Sequence, residues 1–241
     1  TPIRVEGNKV AVIQREICLN REGVWSSLKS QGRELLAAPM HWELSVNGKM
    51  QKLSGNPFPL TCKDNGYSAE GAASAESGSG VVIDSEVQFE YDGFFWSRVS
   101  LDNVAGKTVD RLTLVIPLLD SEMPLFHVIS NTIRSNPGGR IPGGDGEIWN
   151  GSQLKRLVKS IHPQLVPHIW LGGVERGLAW FTDSSFGYRL RKDRNALRLI
   201  REKEILRMEI DIINRPVRLR NGHAFTYGIQ ATPVKPLEKQ F

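Results

Sequence analysis

Single apolar and polar residues alternate through many short stretches of this chain, and turn dipeptides interrupt them, so it can fold only as a succession of strands. Trp42-Glu43-Leu44-Ser45-Val46 alternates, Asn47-Gly48 follows, and residues 49–53 can return beside it. Asn-Gly supplies the positive φ angles of a two-residue hairpin turn. Val87-Gln88-Phe89-Glu90-Tyr91 alternates as well, Asp92-Gly93 turns the chain, and residues 94–101 are rich in strand formers. Leu112-Thr113-Leu114-Val115-Ile116 is a further strand, which Pro117 should end or confine to a sheet edge. Residues 126–130, 168–171, 178–182, 206–213 and 225–231 complete the series. Many short strands between turns predict an all-β fold, a large antiparallel β-sandwich of two sheets with few short helices.

Helix signals are sparse. Ser152 can cap a segment in which Leu154, Leu157, Val158 and Ile161 share a face, with Pro163 ending it. Residues 28–38 form a weaker candidate. Neither sets up a βαβ rhythm, which argues against a parallel sheet. Residues 68–80 are small and polar, and residues 136–146 (NPGGRIPGGDG) are rich in Gly and Pro; both stretches read as loops. With no internal repeat and no break in composition, residues 1–241 read as one domain. No apolar run approaches the ~20 residues of a membrane-spanning helix.

The 31 Lys and Arg against 26 Asp and Glu leave a net charge of +5. The excess is densest over residues 189–220, which raises nucleic-acid binding. That chemistry also asks for aromatic rings among the cations, and none stands between Tyr188 and Phe225. Arg207, Glu209 and Asp211 alternate instead with Leu206, Met208, Ile210 and Ile212, the pattern of a strand with one solvated face. No nucleic-acid partner is expected.

Catalytic signatures are missing. The sequence contains no GxxxxGK[ST], GxGxxG or GxSxG. Cys18 and Cys62 lie far apart and have no CxxC partner, so they read either as a disulfide of an exported protein or as two buried thiols. His41, His127, His162, His168 and His223 include no HxxxH pair and read as ordinary hydrogen-bonded histidines. Asp145 and Glu147 could offer oxygens to Ca²⁺, but nothing nearby completes the six to eight it takes. No metal and no cofactor are expected.

Three segments carry more. They are EYDGFFW (90–96), HIWLGGVERGLAWF (168–181) and FTYGIQATPVKP (225–236). In this order they resemble the N-terminal β-sandwich region of bacterial proteins similar to glycoside hydrolase family 123, over roughly residues 42–236. The resemblance implies that a (β/α)₈ barrel follows the sandwich and is missing from this chain, with residues 233–241 beginning the linker. Active members of that family cleave β-linked N-acetylgalactosamine by substrate assistance, with an adjacent Asp-Glu pair on the barrel. No Asp-Glu dipeptide occurs here, so no catalytic residue is carried over. Gly173 also stands where an acidic residue is expected after Trp-Leu-Gly.

The implied role is a non-catalytic accessory domain of a carbohydrate-active enzyme, bacterial and periplasmic, cell-surface or extracellular, with a glycan and the barrel as partners. A free-standing carbohydrate-binding module and a self-sufficient sugar epimerase or lyase are the alternatives. Trp149, Trp170, Glu175, Arg176 and Trp180 are the candidates for sugar or barrel contact, since an indole can stack on a sugar ring and flanking polar groups can bind its hydroxyls. Core packing is the competing reading for the Trp residues, and an ordinary surface ion pair for Glu175 and Arg176. Trp149 is the best candidate for an exposed ring, whereas Trp96, beside the Asp-Gly turn, reads as core.

Overall fold

The computed structural model describes residues 2–56, 59–63, 66–129, 136–156 and 164–234. The chain opens with a meander of β1 (Arg4–Glu6), β2 (Lys9–Val12), β3 (Arg15–Leu19), β4 (Trp25–Ser30) and β5 (Arg33–Glu34), which make a five-stranded sheet. It crosses to a second sheet with β6 (His41–Val46) and β7 (Lys49–Gln51). β8 (Leu53–Gly55), β9 (Thr61–Lys63), β10 (Ser68–Ser77), β11 (Val82–Glu90) and β12 (Phe95–Asp102) then enter a third. β13 (Thr108–Leu119) returns to the second sheet, β14 (Leu125–Ile129) and β15 (Gly138–Arg140) to the third, and β16 (Gly146–Asn150) to the second. After a 3₁₀ turn at Gly151–Arg156, β17 (His168–Gly172) and β18 (Gly177–Phe181) extend the third sheet. β19 (Leu197–Glu202), β20 (Ile205–Ile213) and β21 (Val217–Arg218) join the second, and β22 (His223–Thr232) closes the third.

The second sheet has seven strands and the third has ten, among the described residues, and all strand pairings are antiparallel. One apolar cluster runs through all three sheets. Trp25 of β4 sits 5.4 Å from Phe95 and 6.4 Å from Phe89, joining the five-stranded sheet to the ten-stranded one. Trp42 of β6 meets Phe225 at 5.8 Å and Tyr227 at 6.1 Å, joining the seven-stranded sheet to the same face. No described helix is long and apolar enough to cross a membrane.

The all-β sandwich agrees with the sequence pattern, with a third sheet added. The turn residues act as expected: Asn47 and Gly48 take φ of 51° and 75° between the paired residues Val46 and Lys49. Asp92-Gly93 belongs to a three-residue loop, with Gly93 at φ 77° donating to Glu90 O. Pro117 neither ends β13 nor lies on an edge strand. Its carbonyl accepts from Ala37 N–H, on the side where pairing with β6 has already stopped at Val115, so no ladder bond needs the missing donor.

Further local expectations are overturned. Residues 28–38 are not helical: Gln31 and Gly32 take φ of 51° and 77° and fold β4 back onto β5. Leu28, Leu35 and Leu36 fit a helical face by spacing but reach the core from a hairpin and the segment after it. Residues 68–80 are not a loop either, for Ser68–Ser77 is a ten-residue strand inside the largest sheet. Its small residues serve close approach. A Cβ on Gly23 would lie 2.7 Å from Ser85 Cβ and 3.1 Å from Ala73 Cβ, and one on Gly55 would overlap Arg21 O. The 20–23 segment therefore passes directly over β10 and β11, where larger side chains would hold it off. Of residues 136–146, 138–140 form an exposed edge strand against β14. The predicted helical residues 157–163 and the linker residues 235–241 lie outside the described residues.

Ala73→Leu is expected to cost about 1–3 kcal/mol through overpacking against Gly23. Urea denaturation checks it, and a variant as stable as the parent would mean that the segment above β10 has room to spare.

Candidate functional site

Alternation along β12 sends Phe95, Ser97, Val99 and Leu101 inward and leaves Trp96 and Arg98 on the outer face. Register carries this across the sheet. His168 of β17 pairs with Phe181 of β18, Phe181 with Gly228 of β22, and Gly228 with Trp96 of β12. The row continues through Gln88 of β11 and Glu70 of β10 to Thr61 of β9. Along it runs a strip of half-buried rings: Trp96 stacks on Phe94 at 6.4 Å and 7°, Phe94 meets Phe181 at 5.5 Å, and Phe181 stacks on His168 at 6.3 Å. Each such contact contributes about 0.5–1.5 kcal/mol beyond area burial. Gly228 is required here, because a Cβ at that position would overlap the Phe181 ring.

Beyond Trp96 the outer face hollows. An open groove of about 570 Å³ lies over β9 to β12, with Gly71 and Ala72 among its lining residues. Thr61, Lys63, Glu70, Glu86, Gln88, Trp96 and Arg98 also line it. Arg98 and Glu86 pair at 3.5 Å. Among the described residues, two cations and two carboxylates line it, which is formally neutral.

The residues expected from sequence distribute differently. Trp149 is 3% exposed and packs 5.7 Å from Phe126, so it is not an exposed ring. A bulge in β16 between Glu147 and Trp149 shifts its register with β19 and turns the indole toward the core. Trp180 is wholly buried, between Ile169 and Ile229 in its ladder. Trp170 does lie on the outer face, half-buried, its indole N–H donating to Thr232 Oγ1 at 3.2 Å. The ring lies across the paired glycines Gly172 and Gly177, where added Cβ atoms would stand 2.6 and 2.7 Å from it.

Arg176 is a tie at the β17–β18 turn. It donates to Glu122 at 3.2 Å, Gln31 at 3.4 Å and Glu175 at 2.8 Å, with Glu175 exposed. The structure thus gathers Trp170, Glu175 and Arg176 at one end of the sheet and puts Trp149 and Trp180 inside. Trp96, read as core, is the outward ring; sharing a parity with Arg98 and opposing Phe95, Val99 and Leu101 is the signal that marks it.

The solvated reading of β20 is also corrected. Glu209 and Asp211 are 2% and 1% exposed. Arg198 contacts Glu209 at 2.7 Å and Asp211 at 3.3 Å, Arg207 contacts Glu209 at 2.6 Å and Glu43 at 3.1 Å, and Arg111 reaches Glu43 at 3.0 Å. Thr113 Oγ1 donates to Asp211 at 2.7 Å. Flanking arginines cover the carboxylates, so charges that alternate like a wet face form a closed network.

Cys18 and Cys62 are separate thiols, half-buried and exposed, which fits neither the disulfide nor two buried thiols. Among the described residues no three His, Cys, Asp or Glu gather as a metal site, and Asp145 and Glu147 are exposed. His168 is held below the ordinary histidine value by burial first and by His127 second, and His223 by burial.

These features define a β-sandwich domain with an aromatic strip and a neutral open groove on one outer face. The chain belongs to the family described as "Glycoside hydrolase 123, third domain", which matches residues 3–190. No curated protein matches it. Among solved structures, a copper-containing benzylamine oxidase from Hansenula polymorpha matches with a TM-score of 0.50 at 7% identity, over 95% of this chain and 60% of that one. That likeness is one of fold. A beta-arabinopyranosidase matches with a TM-score of 0.46 at 10% identity, over 90% of this chain and 38% of that one.

Glu209→Leu should destabilise the domain by about 3–5 kcal/mol, since it leaves the buried Arg198 and its neighbours short of a counter-charge. Chemical denaturation reads the loss, and an unchanged midpoint would mean that the network carries no net strain when broken. Stability should also fall as pH drops from about 7 to 5.5, because the unfolded chain protonates His168 and His223 before the folded one does. Glu22, raised by burial, acts in the opposite sense: its charging costs stability as pH rises above its ordinary value of 4.5. Melting temperatures across that range should show a shallower slope for His168→Gln, and an identical slope would remove His168 from the account.

Proposed function

We propose that the domain is a non-catalytic accessory sandwich of a glycoside hydrolase-like protein, working beside a (β/α)₈ barrel on glycans that contain N-acetylhexosamine. The observation that carries this reading is the outer face of the ten-stranded sheet. It presents rings and hydrogen-bonding groups in the open, and its carboxylates Glu70 and Glu86 are exposed on the sheet surface. Glycosidic cleavage asks for a carboxyl group whose surroundings keep it protonated, typically an apolar enclosure. The groove supplies no such enclosure. Its materials suit holding a glycan, and family membership supplies the sugar context.

The β17–β18 turn supports barrel docking at that end. Val174 is 95% exposed at its tip, Arg176 braces it, and Trp170 joins it to Thr232 near the end of β22. A protein of this kind works where its glycans are, in the periplasm, at the bacterial surface or outside the cell.

The test is hydrolysis of an aryl N-acetyl-β-galactosaminide by purified residues 1–241 and by the same domain joined to its barrel. The joined protein should turn the substrate over and the domain alone should not. Turnover by the domain alone, after contaminating enzymes are removed, would overturn the reading.

A further inference from the structure

We infer that the groove over β9 to β12 binds a neutral oligosaccharide of about three sugar units, one ring stacked on Trp96, the span of four strands at about 4.8 Å spacing being near 14 Å. The inference rests on the proposed role in a glycan-acting protein and gives it a site.

Four observations converge. Phe94 lies parallel to the Trp96 indole, 7° off and 6.4 Å away, and helps to fix the ring, which lines the groove while Phe94 does not. The volume of about 570 Å³ falls within the range of small-molecule sites. Around the indole stand donors on Lys63 and Arg98, acceptors on Glu70 and Glu86, and both kinds on Gln88 and Thr61. A sugar ring needs this combination, since its C–H face is apolar and its rim alternately donates and accepts. Finally, the two cations and two carboxylates among the described lining residues cancel, which gives a polyanionic chain no electrostatic advantage. Lys63, Glu70 and Glu86 argue against a docked protein, because the cores of protein interfaces are depleted in Lys and Glu.

The experiment titrates the isotope-labelled chain with a neutral β-linked N-acetylglucosamine trisaccharide and with a sulfated trisaccharide of equal length, following the indole resonances and the heat of binding. The neutral sugar should shift the Trp96 indole and bind at least as tightly as the sulfated one. Trp96→Ala should weaken it by at least about tenfold, and Trp96→Phe should retain most of the affinity. The parent protein's Trp96 shift reads the same contact should Trp96→Ala fail to fold, and Gln88→Ala should weaken binding about threefold or more.

No perturbation of Trp96 by the neutral sugar up to about 10 mM would overturn the inference, as would full binding by a folded Trp96→Ala or tighter binding of the sulfated sugar. Those results leave the accessory role standing. Turnover by the domain alone would remove that role while leaving a bound sugar at Trp96 intact.

Discussion

A strand cannot turn one side chain toward both faces of its sheet, and the ten-stranded sheet depends on that constraint at every position that matters. Phe89, Phe95, Phe225 and Tyr227 face inward, where Trp25 and Trp42 from the other two sheets close on them at 5.4 to 6.4 Å. A slip of one residue in β12 would bury Arg98 and expose Phe95. The core therefore sets the register, and the register sets the outer face. Trp96, Phe181, Gly228 and His168 fall in one row because Phe95, Trp180 and Ile229 are committed to the interior.

The two larger sheets use their outer faces in opposite ways. On the seven-stranded sheet, Arg111, Arg198 and Arg207 lie among Glu43, Glu209 and Asp211, so charge is spent within the molecule. Burying such groups is costly unless every partner is present, and breaking one contact costs more than the contact contributes. On the ten-stranded sheet the described charges around Trp96 remain exposed. Arg176, Trp170 and Thr232 form a third region where the N-terminal sheet, the β17–β18 turn and the end of β22 meet. There Arg15 donates to Ala231 O at 2.8 Å and Ser30 to Thr232 O at 2.8 Å.

Much of this is legible in the sequence, and the exceptions share physical causes. Alternation and the Asn-Gly and Asp-Gly turns show the strands from Trp42 onward, because sheet periodicity is local. β10 is invisible because Ala, Gly and Ser look like loop where close approach of the 20–23 segment demands smallness. Gln31-Gly32 is a weak turn signal, so a hairpin passes for a helix. Glu209 and Asp211 look solvated because burial depends on Arg111 and Arg198, distant in sequence. Trp149 turns inward through a bulge, which no periodicity announces. Trp96 was within reach, since its parity with Arg98 is written along β12 itself.

The measurement that reaches furthest is hydrogen exchange at the six indole N–H groups. Trp25, Trp42, Trp149 and Trp180 are at most 4% exposed, whereas Trp96 and Trp170 stand on the outer face. Four indoles should be protected, Trp96 should exchange rapidly, and Trp170 should exchange more slowly because it donates to Thr232. Protection of Trp96 equal to that of the four core residues would contradict the parity of β12, and with it the outer face on which the functional reading stands.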